Sequence, residues 1–305
     1  MGKVIWPDEP VRHGQTVSVA FATVLAHNFA RLQAWEPAAR EGADPEGVHQ
    51  VRVSLRRLRS ACSTFGVAVP KRATRAWRQR MRELAGALGT ARDLDVLRDE
   101  VLAPLAEHLP LPGAAAFGAA VARARADAQG AVLAMLDGSD YADFKAGFPG
   151  WVAAREWERA VRARPRRQRL RLPVEGFAAE LLQRQLGQVA ACGDAVDPAD
   201  PAAMHRLRIE CKKLRYLAEF FRGLFTDMEP FIAALKQLQD LLGVMHDCAV
   251  SPALVERVVG TADDGELRRY AAGVVGWRSR EYQALAAGFA ERWQAFRAAP
   301  LPWGG

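Results

Sequence analysis

Apolar residues recur along most of the chain at intervals of three and four, and strict alternation of apolar and polar positions is almost absent. That period belongs to amphipathic helices rather than strands. The spacing predicts first-half helices near residues 17–35, 46–65, 73–88, 94–108 and 114–136. It predicts second-half helices near 174–191, 201–225, 230–242, 252–259 and 266–296. Pro45, Pro70, Pro110, Pro112, Pro149, Pro165, Pro198 and Pro230 read as falling between helices, because proline lacks the N–H and clashes with the preceding turn.

The two halves repeat one another. HQVRVSLRRLR at His49 returns as HRLRIECKKLR at His205, and the same offset pairs Phe21 with Phe177, Leu25 with Leu181 and Phe65 with Phe221. Further on, LGTARDLDV from Leu88 reappears as LGVMHDCAV from Leu242, the offset shorter by two. A chain of 305 residues exceeds the usual size of one core. An all-α architecture of two tandem helical bundles related by an approximate twofold is therefore expected, residues 1–150 and 151–305, joined through the stretch RARPRRQRLRLP at 162–173.

On the repeated helix, His49, Arg52, Arg56 and Arg59 fall within an arc of about 80° at about 100° per residue. Val48, Val51, Leu55, Leu58, Cys62 and Phe65 step by threes and fours beside them. The basic row thus borders the buried stripe and lines a groove between helices. His205, Arg208, Lys212 and Arg215 repeat the row, with Met204, Leu207, Cys211, Leu214, Ala218 and Phe221 as the stripe. A solvated face explains one such row; a duplicated surface free to drift should have lost its charge, and this one matches as well as the core does. Like charges three and four residues apart repel by a few tenths of a kcal/mol, and no carboxylate is interleaved before Glu210. The countercharge must come from outside.

Composition adds the sign of that partner. The net charge is +7, which points to an anion. Six lysines leave 36 arginines among the 42 basic residues, a bias that suits bidentate phosphate contacts and equally suits a GC-rich genome. Cys62, Cys192, Cys211 and Cys248 have no metal-ligand or paired spacing and read as buried thiols of a reducing cytoplasm. Neither the start MGKVIWPDEP nor any later stretch has the apolar run of a leader or a membrane span.

HxxRVxxRRLR and HxxRIxxKKLRY, each followed by an LGxxRDxDV-like or LGxxHDxxV-like turn, resemble the CHAD family, the histidine-containing α-helical domain. The resemblance runs from about Val17 to Phe296 and implies two four-helix bundles with internal pseudo-twofold symmetry around a basic groove that binds inorganic polyphosphate. By motif position it implies His49, Arg52, Arg56, Arg57 and Arg59, with His205, Arg208, Lys212, Lys213 and Arg215, as the ligands. Arg82 and Lys236 pair at the shorter offset and join them; Arg78 pairs with Ile232 and Arg92 with His246, which leaves both outside the set. A linear polyanion suits a two-lobed groove through many contacts and counterion release.

Other features have a plainer reading beside the functional one. Asp93 and Asp247 precede apolar runs and read as helix N-caps, the alternative being ion pairs to the basic rows. His49 and His205 titrate near neutrality in water; as imidazolium contacts to phosphate they would raise affinity below about pH 6.5. Their cationic neighbours argue against a metal, and neither a cofactor nor a catalytic residue is expected. No P-loop, GxSxG, HExxH or carboxylate cluster is present, and EWERA at Glu156 departs from the ExExK of an attached triphosphate tunnel domain. The arginine run at 162–171 is a solvated linker or an accessory contact, and Trp151, Trp157, Trp277 and Trp293 read as core. A non-enzymatic, cytoplasmic polyphosphate binder, placed on polyphosphate granules, is the leading expectation. A helical nucleic-acid binder, disfavoured by the scarcity of aromatics among the basic rows, and a histidine phosphorelay or metal-binding protein are the competitors. No membrane and no particular protein partner is indicated.

Overall fold

A computed structural model describes residues 11–261 and 264–304; the MGKVIWPDEP start lies outside them. Thirteen α-helices follow in order among these residues: α1 Val17–Glu41, α2 Pro45–Thr64, α3 Lys71–Val96, α4 Ala103–Leu105, α5 Ala114–Asp137, α6 Ser139–Ala153, α7 Trp157–Ala160, α8 Arg164–Arg171, α9 Val174–Gly193, α10 Pro201–Phe220, α11 Met228–Val259, α12 Gly265–Ala287 and α13 Phe289–Arg297. Among the described residues the only β pairing is an isolated bridge between Thr16 and Pro173. No helix there is long and apolar enough to cross a membrane.

The two basic helices begin the same way. Asp44 and Asp200 cap α2 and α10 by accepting the N–H two residues on, each at 2.8 Å, with Pro45 and Pro201 supplying a preset φ at the first turn. The stripes read from the sequence are buried in both copies. They seat α2 between α1 and α3, and α10 between α9 and α11. Gly47 lets α1 and α2 approach closely: a Cβ there would lie 2.4 Å from the backbone of Ala38 and Ala39. One apolar cluster runs through both halves. Repeat-related Phe65 and Phe221 meet in it at 5.9 Å between ring centroids, and α2 packs directly against α10.

Several breaks expected from the sequence do not occur. Both LG segments lie inside unbroken helices, α3 and α11, because the buried stripes Leu84, Leu88, Ala91, Leu94 and Leu238, Leu242, Met245, Cys248 continue through them at helical spacing. Burial of those stripes outweighs the ~1 kcal/mol that an interior glycine costs. Pro149 lies inside α6, Pro230 in the first turn of α11 and Pro252 inside it. After α3 the chain continues as a π-helical turn over Leu97–Leu102. The arginine run forms the short helix α8, and α6 lies where no helix was anticipated. Trp151, Trp157 and Trp293 are buried, while Trp277 is half-buried and stacks on His108 at 5.7 Å.

A buried ion pair fixes α5 to α3. Asp95, fully enclosed, accepts from Arg125 Nε at 2.6 Å, and Arg125 also donates to Gln129 and to the Gly42 carbonyl. Removing one partner strands a buried charge, so Asp95→Ala should lower unfolding free energy by about 3–5 kcal/mol in urea denaturation. An apolar replacement of both partners, Asp95→Leu with Arg125→Met, should recover most of that loss.

Candidate anion-binding site

The rows of α2 and α10 converge where these helices cross. Arg57 on α2 donates Nη1 to Glu219 on α10 and Nε to Asn28 Oδ1 at 2.7 Å, and Arg215 Nε lies 3.2 Å from the same Glu219. The Tyr216 ring carries the guanidinium carbons of Arg56, Arg57 and Arg215 at 5.7, 5.5 and 5.9 Å. Cation–π contact of this kind offsets part of the mutual repulsion. Arg57, expected among the ligands, is therefore mainly a tie between the two helices.

Further along, Arg52 Nη1 donates to the Ala85 carbonyl of α3 at 3.0 Å. Gly89 permits that approach, since a Cβ there would stand 3.3 Å from the same nitrogen. The glycine of the first LG segment thus makes room for a guanidinium and does not mark a turn. Asp93 sits one turn on and faces Arg52; its repeat mate Asp247 faces Arg208. Burial raises the pKa of both carboxyls against the pull of those arginines. The N-cap reading of Asp93 and Asp247 is therefore corrected: both lie in helix interiors as countercharges to the rows, an arrangement duplicated with the repeat.

Even so, donors exceed acceptors. The buried Nε atoms of Arg56, Arg78 and Arg208 have no hydrogen-bond acceptor. Arg59 lies in the repulsive field of Arg78, Arg82 and Arg52, and Arg208 in that of Arg56 and Arg52. At the other end a cavity of about 490 Å³ is lined by His49, Arg56, Arg57, Arg215 and Lys236, with His27, Arg31, Gln50, Arg222 and Glu219. Lys213 does not join the cluster; it is exposed and paired with Glu210 at 2.6 Å. Arg78 and Arg92, which mismatch their repeat positions, both act on the site, Arg78 beside Arg59 and Arg92 beside His49. Arg78 does lie one turn before Arg82 on the same face, a signal in the sequence that the Ile232 mismatch outweighed.

The protonation states differ from those of the free side chains. Burial, then Arg92, Arg56, Arg52 and Lys212, push His49 down to about 4. His246 falls to about 3, and His205, 3.1 Å from it between Nδ1 atoms, is lowered as well. The unliganded protein therefore holds neutral imidazoles at physiological pH, so a rise in affinity in acid through these histidines requires the bound phosphate to raise their pKa. Lys212 is the group that titrates near neutrality, brought down to about 6 by burial, Arg56 and Arg208, with Asp247 opposing. Among the described residues no three His, Cys, Asp or Glu side chains group where they could hold a metal ion.

The model of the CHAD domain matches residues 23–256. The chain belongs to the CHAD family. The CHAD family is linked to polyphosphate. The fold of this CHAD domain is similar to that of the CHAD domain from the plant Ricinus communis, with a TM-score of 0.84 and 24% identity over 97% of each chain. It is also similar to PptA from Streptomyces chartreusis, with a TM-score of 0.68 and 17% identity over 92% of this chain and 100% of that one. No curated protein matches the sequence.

Lys212 makes the CHAD site testable through stability. Its proton leaves near pH 6 in the folded protein and near 10.5 in the unfolded chain, so the unfolded state binds more protons between those values. Through this group, stability rises as pH increases across that window. Lys212→Met should stabilise the unliganded protein, with an advantage in urea denaturation that shrinks from about pH 6.5 to about pH 9. An advantage independent of pH would contradict a depressed Lys212.

Proposed function

We propose that this CHAD domain is a non-enzymatic binding module for inorganic polyphosphate, held in the groove where the basic rows of α2 and α10 converge. The observation that carries the reading is the set of buried guanidinium Nε donors on Arg56, Arg78 and Arg208 that lack acceptors. Buried polar groups in folded proteins are almost always bonded, so a cluster left unmet, all of one kind and one sign, calls for an acceptor-rich anion. Arginine and lysine arrayed along two crossing helices suit a repeating linear polyanion better than a single small one. His49, Arg52, Arg56, Arg59, Arg82, Arg208, Lys212, Arg215 and Lys236 are the proposed contacts, with Arg78 added; His205 contributes as a neutral imidazole. Binding would take up a proton at Lys212, because a neighbouring phosphate favours its charged form. A chain holding polyphosphate in this way could sit on polyphosphate granules.

Duplex DNA and RNA share the phosphate charge but are read through base edges and stacking. Tyr216 and Phe220 are the aromatic rings that the rows lie against, and both are buried beneath guanidiniums rather than free to stack on a base. The test is a competition titration of long-chain polyphosphate against single-stranded RNA and duplex DNA at physiological salt. Polyphosphate should win, and Arg52→Ala with Arg208→Ala should weaken its binding about a hundredfold or more, each charged hydrogen bond being worth about 1.5–3 kcal/mol. Equal binding of the three polymers, unchanged in the double variant, would mean generic basicity.

A further inference from the structure

Tyr216 stands on α10 where that helix crosses α2. It is 2% exposed, yet its hydroxyl has no hydrogen-bond partner. Its ring supports guanidiniums from both helices, and its hydroxyl lies within electrostatic reach of Arg52 on α2 and Arg208 on α10. Every one of these neighbours is a donor only. A guanidinium can give the phenol oxygen a hydrogen bond but offers nothing to accept the phenol's own hydrogen. A buried hydroxyl in that position is missing an acceptor in particular, and the unmet Nε atoms of Arg56 and Arg208 beside it are missing the same thing.

The repeat sharpens the point. The position matching Tyr216 in the first copy is Ser60, so a single tyrosine serves both rows. Glu219, which neutralises Arg57 and Arg215, likewise matches Ser63. The crossing is thus specialised within an otherwise repeated groove: Arg57 and Arg215 are already paired with Glu219, and the unmet Nε donors of Arg56 and Arg208 lie around one phenol.

We propose that the crossing of α2 and α10 is a discrete phosphoryl subsite, in which the Tyr216 hydroxyl donates to one oxygen of a bound phosphate unit while Arg56 and Arg208 supply the flanking donors. The inference rests on the polyphosphate reading and assigns its central contact. An internal phosphate unit of a linear polyphosphate carries two non-bridging and two bridging oxygens, enough acceptors to meet all three donors. Tyr216 is then both the platform that holds the arginines in place and a direct ligand.

The full-length chain and its Tyr216→Phe and Tyr216→Leu variants would be titrated calorimetrically with tripolyphosphate and with long-chain polyphosphate, and each variant's melting temperature measured without ligand. Phenylalanine keeps the ring and removes only the hydroxyl. Its variant should bind both probes about tenfold more weakly while melting at or above the wild-type temperature, since an unmet buried donor has been removed. The leucine variant should bind more weakly still. Wild-type binding matched by Tyr216→Phe would overturn the subsite and leave the polyphosphate reading standing, as would a Phe variant that merely melts lower. A wild type that binds neither probe would overturn both.

Discussion

Everything about this molecule is arranged around like charges brought side by side and partly buried. Arg52, Arg56, Arg208 and Lys212 each lie in the field of at least one of the others, and burial is the first cause of the lowered pKa at Arg52, Arg208 and Lys212. Two helices bearing such rows would not cross unaided. Three things hold them there: the Phe65 and Phe221 contact in the common core, the Glu219 bridge to Arg57 and Arg215, and the cation–π platform of Tyr216. Asp93 and Asp247 add one countercharge to each row. The compensation is incomplete, and the remainder is the site.

Incomplete compensation costs stability, which the large apolar core can absorb. A protein that needed only to be stable would replace Lys212 with an apolar residue and satisfy the guanidinium donors with carboxylates. The cluster keeps both unmet, as binding sites do where stability and function conflict. The histidines fit the same logic from the other side: kept neutral by burial first and by their cationic neighbours second, His49, His205 and His246 add hydrogen-bonding capacity to the groove without adding further repulsion.

How much of this is written in the sequence depends on the interaction concerned. The all-helical fold and the alignment of the two rows follow from period and repeat, because the buried stripes and the capping Asp-Pro pairs act locally. The continuous α3 and α11 do not: glycine and proline suggest breaks, and only long-range burial of Leu88 and Leu242 overrules them. Gly89 looks like a turn residue until Arg52 is seen to need its missing Cβ. The roles of Arg57 and Lys213 were equally hidden, since their adjacency in the motif says nothing of the acids that occupy them, Glu219 in one case and Glu210 in the other. Tyr216 and Arg78 break the repeat, and a method that finds sites by matching copies passes over what only one copy has.

The central claim is that several cations from both rows engage one polyanion at once. It is tested most directly by measuring the binding constant for long-chain polyphosphate across a range of salt concentrations. The account predicts a straight line of log affinity against log salt, falling by about 0.7–0.9 for each phosphate neutralised if polyphosphate behaves as nucleic acids do. The total slope should reflect several phosphates. A flat line, or one reflecting a single contact, would contradict it.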